Sequence, residues 1–221
     1  MTLLVTCDIL PVMKVKDANQ ITGGLSAPSK MPCYGFSTTA KACITGRKLR
    51  DVVGSICSKC YALKGRYGFP NVQKALVSRL EKLADPQWVT AMAFLINRKE
   101  KSGYFRWHDS GDLQSVGHLK NIVEVCNRTP NIKHWLPTRE YATVSKYVNV
   151  YGPLPENLTV RLSALMFDKP APVGIAKRLG LTTSGASKQD FSCPASNQGN
   201  QCVNCRACWD KDVANINYKK H

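Results

Sequence analysis

A short stretch of the chain concentrates side chains that could do acid–base or nucleophilic chemistry. Residues 104–115 read YFRWHDSGDLQS, in which His108, Asp109 and Asp112 crowd around Gly111. A carboxylate can act as a nucleophile or transfer a proton, and an imidazole transfers protons near neutral pH. Asp109, Asp112 and His108 are therefore our candidate catalytic residues.

Polar residues also follow two later apolar stretches of the chain. Residues 137–140 read PTRE, and residues 161–168 read RLSALMFD. If these stretches are strands of one parallel sheet, their carboxyl ends meet at one edge, where ligands bind in α/β sheets and barrels. The candidate substrate-binding residues at that edge are Ser110, Gln114, Arg139, Glu140, Arg161, Ser163 and Asp168. An ordinary turn that caps a helix is the other interpretation, because such turns are rich in Asp, Ser and Gly.

The C-terminal part of the chain has cysteines at metal-ligand spacing. Cys202, Cys205 and Cys208 are each separated by two residues, which lets successive thiolates turn back on one ion or cluster. Cys193 could supply a fourth thiolate, and His221 could instead complete a zinc site of three cysteines and one histidine. The spacing leaves zinc and a 4Fe–4S cluster both open.

A second group of cysteines lies in the N-terminal part of the chain and contains Cys33, Cys43, Cys57 and Cys60. The Cys57-x2-Cys60 pair is typical of half a zinc site, of a redox pair, or of part of an iron–sulfur ligand set. With the two upstream cysteines it predicts a second metal or cluster. Cys7 and Cys126 stand alone, and we expect them to be small buried side chains.

The charge of the chain indicates a polyanionic partner. The net charge is +16, from 31 Lys and Arg against 15 Asp and Glu, and it is spread along the chain. Such an excess favours DNA or RNA as a partner, although a basic surface without a partner is the plainer interpretation. The residues that we expect to contact a nucleic-acid backbone are Lys59, Lys64, Arg66 and Arg106.

Hydrophobic periodicity predicts the elements that position these residues. Two helices, over 70–83 and from 86 to 96, precede strands that begin at positions 104, 132 and 158. The predicted strands are 104–108, 132–136 and 158–162, and helices at about 115–127 and 140–150 stand between them. This spacing is that of βα units, which build a parallel sheet. An N-terminal strand at Leu3–Val5 or Leu10–Val15 is also predicted.

The length decides how far such a sheet can extend. A complete eight-unit barrel takes about 250 residues. With 221 residues, the chain predicts an α/β fold, a reduced or partial (β/α) TIM-like barrel with Cys-rich metal-binding insertions at both ends. We expect one domain over 1–221, made of an N-terminal Cys-rich segment (1–69), a βα core (70–185) and a C-terminal Cys-rich segment (186–221).

The chain resembles a phage and plasmid family known as gene product 88. The resemblance covers roughly residues 33–221 and rests on CYALKGRYGFPNVQKAL, FRWHDSGDLQS, HWLPTRE, NLTVRLSA and CPASNQGNQCVNCRACWDK. It implies a phage or prophage origin and names no reaction. Because no run of about 18 apolar residues and no signal peptide is present, we expect a protein of the host cytoplasm without a membrane partner.

The chain is also similar to tRNA-guanine transglycosylases and their DpdA-type relatives, which place 7-deazaguanines in phage DNA. DSGDLQ at 109–114 looks like their DSGGFQ turn, and LPTR at 136–139 looks like their DCVLPTR strand end. By that likeness Asp109 is a catalytic carboxylate, and the three clustered cysteines with His221 form a zinc site. Lys133 stands where that family has its nucleophilic aspartate, so the second carboxylate would be Asp112 or, failing that, Asp168.

A third resemblance is to radical S-adenosylmethionine enzymes, which are partial (β/α) barrels and include phage members with a CxxCYA sequence. By that likeness Cys43, Cys57 and Cys60 hold the cluster, the cofactor is S-adenosylmethionine, and the C-terminal cysteines form an auxiliary site. The usual Cys-x3-Cys-x2-Cys spacing of that family is absent here.

Three functions therefore follow as hypotheses. The first is the exchange of guanine for a 7-deazaguanine in nucleic acid, DNA rather than RNA, after the base has left the stack. The second is a radical S-adenosylmethionine enzyme that acts on nucleic acid. The third is a non-catalytic, metal-stabilised nucleic-acid-binding protein.

Overall fold

The computed structural model describes residues 13–220 and shows a mixed α/β fold with a six-stranded, all-parallel sheet. The strands are β1 (Gly35–Phe36), β2 (Tyr104–Trp107), β3 (Lys133–Thr138), β4 (Leu158–Ser163), β5 (Thr182–Ser187) and β6 (Asn215–Lys219). The helices are α1 (Val15–Thr22), α2 (Ile44–Leu49), α3 (Pro70–Glu81), α4 (Trp88–Lys99), α5 (Val116–Asn127), α6 (Tyr141–Tyr151) and α7 (Val173–Leu179).

The strands lie in the sheet in the order in which they occur in the chain, from β1 at one edge to β6 at the other. Because βα crossovers are right-handed, an unbroken order of this kind places successive helices on the same face of the sheet. The predicted α/β class is confirmed. Within residues 13–220, no helix is both long and apolar enough to cross a membrane.

The two faces of the sheet differ in composition, because side chains alternate along each strand. The face toward the helices is apolar and carries Phe105, Trp107, Leu136, Val160 and Leu162. The opposite face carries Arg106, Trp135, Arg161 and Ser163. Trp135 packs there against Trp209 of the C-terminal segment. One face thus forms the main core, and the other forms a partly polar interior that can receive a ligand.

Most of the central elements that the sequence predicts are confirmed. Strands β2, β3 and β4 and helices α3, α4, α5 and α6 lie within a few residues of their predicted bounds. The described part of the strand predicted at Leu10–Val15 is not a strand, because α1 begins at Val15; the rest of it, and Leu3–Val5, lie outside the described residues. The sequence did not predict α1, α2, α7, β1, β5 or β6.

Arg161 fastens the C-terminal segment to the sheet. Its side chain is fully buried, although the sequence predicted that this residue of β4 binds substrate. Its three guanidinium nitrogens donate to the main-chain carbonyls of Thr183, Ala207, Cys208, Asp210 and Val213, over 2.7–3.2 Å. These bonds use the guanidinium as an internal anchor, so it is not directed at a phosphate.

Two buried histidines make the stability of the fold depend on pH. Burial lowers the pKa of His118 to about 4 and that of His134 to about 3. Because both values lie below the ordinary value near 6.5, the neutral imidazoles stabilise the fold above that pH, and this contribution is lost as the pH falls toward 4 and 3.

We therefore expect the free energy of unfolding to decrease below about pH 6.5, by up to about 1.4 kcal/mol per pH unit for each histidine. Urea denaturation of the wild-type protein and of His134→Gln at several pH values tests this. The difference in free energy between the two proteins should shrink as the pH falls. A difference that stays constant from neutral to acidic pH would contradict the assignment.

Candidate functional site

A cavity of about 920 Å³ opens at the carboxyl end of the sheet. The segments that follow β1, β2, β3 and β4 line it, together with the C-terminal segment. Of the residues predicted from the sequence, it brings together His108, Asp109, Ser110, Asp112, Arg139 and Ser163. The strand exits therefore share one pocket, as expected for a parallel sheet.

Asp109 lies in the cavity wall, and its carboxylate has partners on two other segments. Ser37 donates its hydroxyl to one carboxylate oxygen, and Tyr67 donates to the other at 2.6 Å. Tyr61 donates its hydroxyl to the Asp109 main-chain carbonyl. Asp109 thus joins β1 and the segment that carries Cys57 and Cys60 to the exit of β2.

Asp112 is buried and is more fully hydrogen-bonded than Asp109. One oxygen accepts from the Leu113 amide at 2.8 Å and from the Thr138 hydroxyl at 2.6 Å, and the other accepts from the Arg139 amide at 2.9 Å. Burial raises the pKa of this carboxyl group to about 6, against the opposing effect of these hydrogen bonds. Its contacts are those of a group that holds two strand exits together.

His108 is a histidine without partners inside the cavity wall. Its side chain is 4% exposed, and among the described residues neither ring nitrogen has a hydrogen-bond partner. Its backbone φ is +59°, a strained value for a residue with a side chain. Burial, with smaller effects from His118 and Arg106, holds its pKa well below the ordinary range. The His108 ring packs against the His118 ring, with centroids 5.2 Å apart, and its neutral imidazole can donate one hydrogen bond and accept another.

Three of the predicted substrate-binding residues do not line the cavity, and each makes hydrogen bonds to other residues of the protein. Glu140 accepts from the amide and the hydroxyl of Thr45, both at 2.8 Å, and so ties α2 to the end of β3. Asp168 is exposed and accepts from Ser187 and the Lys188 amide. Gln114 donates to the Asp112 carbonyl at 2.8 Å.

Three thiols of the N-terminal segment line the cavity. Cys43 precedes α2, and Cys57 and Cys60 belong to the turn beyond it. A Cβ atom added at Gly46 would lie 3.7 Å from the Cys43 sulfur and 3.5 Å from the Cys57 sulfur, so both sulfurs face one space that a side chain would fill. Burial, followed by the Asp112 carboxylate and the other two thiols, raises the pKa of Cys43 to about 12. Burial also raises the pKa of Cys57, so as bare thiols Cys43 and Cys57 are poor nucleophiles.

The structure places Cys33 with the C-terminal cysteines and apart from the N-terminal group. Cys33 and Cys208 belong to one buried cluster, and Cys193 packs against it. Burial raises the pKa of Cys33 to about 12, and the neighbouring Cys202 thiol contributes to that increase. His221 lies outside the described residues. Within residues 13–220, no three His, Cys, Asp or Glu side chains converge on a point that could hold a single metal ion.

Positive charge surrounds the cavity. Among the described residues that line it, the cationic side chains are Lys30, Arg50, Lys59, Arg66, Arg106, Arg139, Lys219 and Lys220, and the carboxylates are Asp109 and Asp112. Arg106 is half-buried in the cavity wall, where its guanidinium lies 4.6 Å from the centre of the Trp135 ring. Lys59, Lys64 and Arg66 are exposed.

These features define an α/β protein with a thiol-lined, cationic cavity at the carboxyl edge of a parallel sheet. The chain matches the gene product 88 family over residues 11–211, and it belongs to that family. No curated protein and no solved structure matches it.

The sequence did not predict that the hydroxyls of Tyr61 and Tyr67 contact Asp109. Tyr61 belongs to the CxxCYA sequence, but no local pattern indicates that its hydroxyl reaches the exit of β2. The buried Ser37 and the Thr45 contact with Glu140 were missed as well, because both belong to a segment without hydrophobic periodicity.

Gly111 lets the exit of β2 approach the segment after β1. Its φ is +84°, and a Cβ atom there would lie 2.1 Å from the Thr38 hydroxyl oxygen and 2.9 Å from the Thr38 carbonyl oxygen. A side chain therefore meets both strain and a steric clash at this position.

We expect Gly111→Ala to lower the free energy of unfolding by about 2 kcal/mol or more. Gly117→Ala is the matched control, because Gly117 lies in α5 and its nearest neighbour to an added Cβ is the Ser115 hydroxyl oxygen, at 3.6 Å. That control should raise stability by about 0.5–1 kcal/mol. Chemical denaturation measures both, and equal effects would refute the close approach at Gly111.

Proposed function

We propose that this protein is an iron–sulfur enzyme that uses S-adenosylmethionine and acts on nucleic acid. The observation that carries the proposal is that three thiols, those of Cys43, Cys57 and Cys60, line the same cavity as His108 and Asp109. The three cysteines follow β1, the first strand of a sheet whose strands occur in chain order. The proposed architecture is a partial (β/α) barrel with its cluster at the carboxyl rim.

The residues present fit such a cluster. Gly46 leaves space beside the Cys43 and Cys57 sulfurs. Cys43, Cys57 and Cys60 would hold the cluster, which with S-adenosylmethionine and one electron from an external reductant would supply hydrogen-atom abstraction from the substrate, with methionine and 5′-deoxyadenosine as products. The cavity of about 920 Å³ has a volume typical of a cofactor site.

The surrounding side chains hold the thiol-bearing segments in place. The hydroxyls of Tyr61 and Tyr67 donate hydrogen bonds to Asp109. The amide of Thr45, close to Cys43 in the chain, donates one to Glu140. The Arg139 main chain is fixed by Asp112, and its Nε donates to the Ala164 carbonyl at 3.0 Å. The rest of the Arg139 guanidinium can pair with a carboxylate or a phosphate in the cavity.

Two features suit a nucleic-acid substrate. The cationic side chains at the cavity outnumber its carboxylates, and the exposed Lys59, Lys64 and Arg66 extend this charge outside it. Cations of this kind bind phosphates, whereas an unpartnered imidazole such as that of His108 can read the edge of an extruded base.

Base exchange with a 7-deazaguanine is the second candidate function, and the position of Asp109 in the cavity wall favours it. On this proposal the Asp109 carboxylate attacks the glycosidic carbon as its bond to guanine breaks, and guanine takes a proton from water. A 7-deazaguanine then displaces Asp109 from that carbon and gives its ring N–H proton to water. Tyr67, which donates to that carboxylate, would orient it. Asp112 would act only as an anchor, because its oxygens already accept three hydrogen bonds. The thiols would be structural.

We expect the anaerobically purified protein to be brown, with about four irons and four sulfides at this site. With S-adenosylmethionine and dithionite it should form 5′-deoxyadenosine. The Cys43→Ala/Cys57→Ala/Cys60→Ala variant should lose that product, whereas Cys126→Ala, which changes a buried core thiol, should retain it.

The same variants separate the two candidate functions. Release of labelled guanine from DNA on addition of a 7-deazaguanine, retained in the triple cysteine variant and lost in Asp109→Asn, would support base exchange. A protein without iron and without 5′-deoxyadenosine formation would refute the iron–sulfur proposal.

Nucleic-acid binding should depend on the cations beside the cysteines. We expect Lys59→Ala/Lys64→Ala/Arg66→Ala to weaken binding to all sequences alike and to reduce the slope of log K against log salt by about three. Lys146→Ala/Lys177→Ala/Arg178→Ala is the control, because these residues are exposed on α6 and α7, outside the cavity lining. Fluorescence anisotropy over a salt series measures the slope. Equal slopes in the two variants would contradict the assignment.

A further inference from the structure

A second group of thiols, of which Cys193 and Cys202 line the cavity, is not used by the proposed function. We propose that Cys33, Cys193, Cys202 and Cys205 bind a second iron–sulfur cluster, which joins the segment before β1 to the C-terminal segment. This inference does not depend on the first cluster, because it rests on different residues.

Direct contacts bring the two segments together. The Cys202 amide donates to the Lys30 carbonyl at 3.3 Å, and the Cys202 sulfur lies 3.9 Å from the Met31 sulfur. The stretch that leads to Cys33 therefore lies against Cys202. Cysteine spacing in the sequence does not group Cys33 with Cys202, because 169 positions separate them; the fold brings them close together.

Main-chain hydrogen bonds hold the other two thiols nearby. The Cys205 amide donates to the Cys202 carbonyl at 2.7 Å, which closes a turn between these cysteines. The Cys193 amide donates to the Asn217 carbonyl in β6 at 3.0 Å. Cys193 also packs against the buried cluster that contains Cys33. Cys193 and Cys202 line the cavity. Cys205 is held beside Cys202 by this turn, and Cys33 lies in the buried cluster against which Cys193 packs.

Cys208 has a different role, although its spacing in the sequence fits a ligand. Its sulfur lies 3.4 Å from the Tyr218 hydroxyl, and its carbonyl accepts from Arg161. Its side chain is buried beside Trp209. Cys208 therefore belongs to the anchor that Arg161 forms, and Cys33 replaces it as the fourth ligand.

The segment around these thiols cannot order itself by apolar burial. None of residues 186–207 is buried, and the regular structure from 188 to 206 is a single 3₁₀ turn at Pro194–Asn197. Val203, between two of the proposed ligands, has a φ of +38°, which is a steric outlier for a β-branched residue. Something must offset this strain and the lost chain entropy, and metal binding does so in small Cys-rich segments.

We assign a polynuclear cluster to these thiols rather than a single zinc ion, whose ligands would all have to lie about 2.3 Å from one point. A 4Fe–4S cluster places its four thiolates at separate irons, so the sulfurs lie farther apart. Arg206, which donates to the Val203 and Cys205 carbonyls at 2.8 and 2.9 Å, adds positive charge beside the thiolates.

The test uses the full chain with the first site removed by Cys43→Ala, Cys57→Ala and Cys60→Ala. Purified anaerobically, this protein should retain about four irons and four sulfides per chain. Adding Cys33→Ala should reduce both to background, whereas adding Cys208→Ala should leave them unchanged. Loss of iron with Cys208→Ala but not with Cys33→Ala would overturn the ligand set. A protein that contains only zinc, or no metal, would overturn the cluster.

A second measurement covers the case in which the Cys33 variant does not fold. In the wild-type protein, iodoacetamide should leave Cys193, Cys202 and Cys205 unmodified until a chelator and an oxidant remove the cluster, as mass spectrometry reports. All three are partly exposed, so free thiols at these positions would be alkylated. Alkylation before cluster removal would refute the proposal. Failure of the first site alone would leave this protection intact.

Discussion

The carboxylate of Asp112 joins the exits of two neighbouring strands, and the geometry of the cavity depends on it. It accepts from Leu113 on its own turn and from Thr138 and Arg139 at the end of β3. A carboxylate this deeply buried is costly unless its oxygens are fully hydrogen-bonded. The satisfied carboxylate therefore fixes the relative positions of the two turns.

Two further carboxyl groups extend this arrangement to the thiol-bearing segments. Asp109 receives Ser37 from the segment after β1 and Tyr67 from the segment after Cys60. Glu140 receives both donors of Thr45, at the start of α2. Acidic residues at strand exits resemble a catalytic cluster in the sequence, yet in the structure much of their hydrogen-bonding capacity goes into positioning. Among the residues of these strand exits, the groups with hydrogen-bonding capacity left are the buried His108 ring and the free part of the Arg139 guanidinium.

The predictability of each element follows from how its residues are stabilised. Strands β2, β3 and β4 were found because their apolar side chains pack on helices, which leaves a periodic pattern. Strand β5 reads TTSGAS and contains no large apolar side chain, and β1 has only two residues. Neither strand therefore leaves a periodic apolar pattern in the sequence. The meeting of the strand exits at one cavity was predicted from the polar residues that follow each strand. The hydrogen bond that the Thr45 amide donates to Glu140 was not predicted, because 95 positions separate the two residues and no local pattern contains both.

The distribution of charge separates stability from binding in this molecule. Within residues 13–220 the ion pairs are Arg128 with Glu124 and Lys211 with Glu156, and none of these four residues lines the cavity. The two carboxylates that line the cavity accept hydrogen bonds from hydroxyls and amides, and they are too few to neutralise its eight lining cations. Unneutralised like charges repel each other and destabilise the compact state. Thiolate-bound clusters would neutralise part of this charge from within, and the phosphates of a substrate would neutralise the part at the cavity mouth. On this argument the same excess of Lys and Arg serves both the proposed cofactors and the proposed substrate.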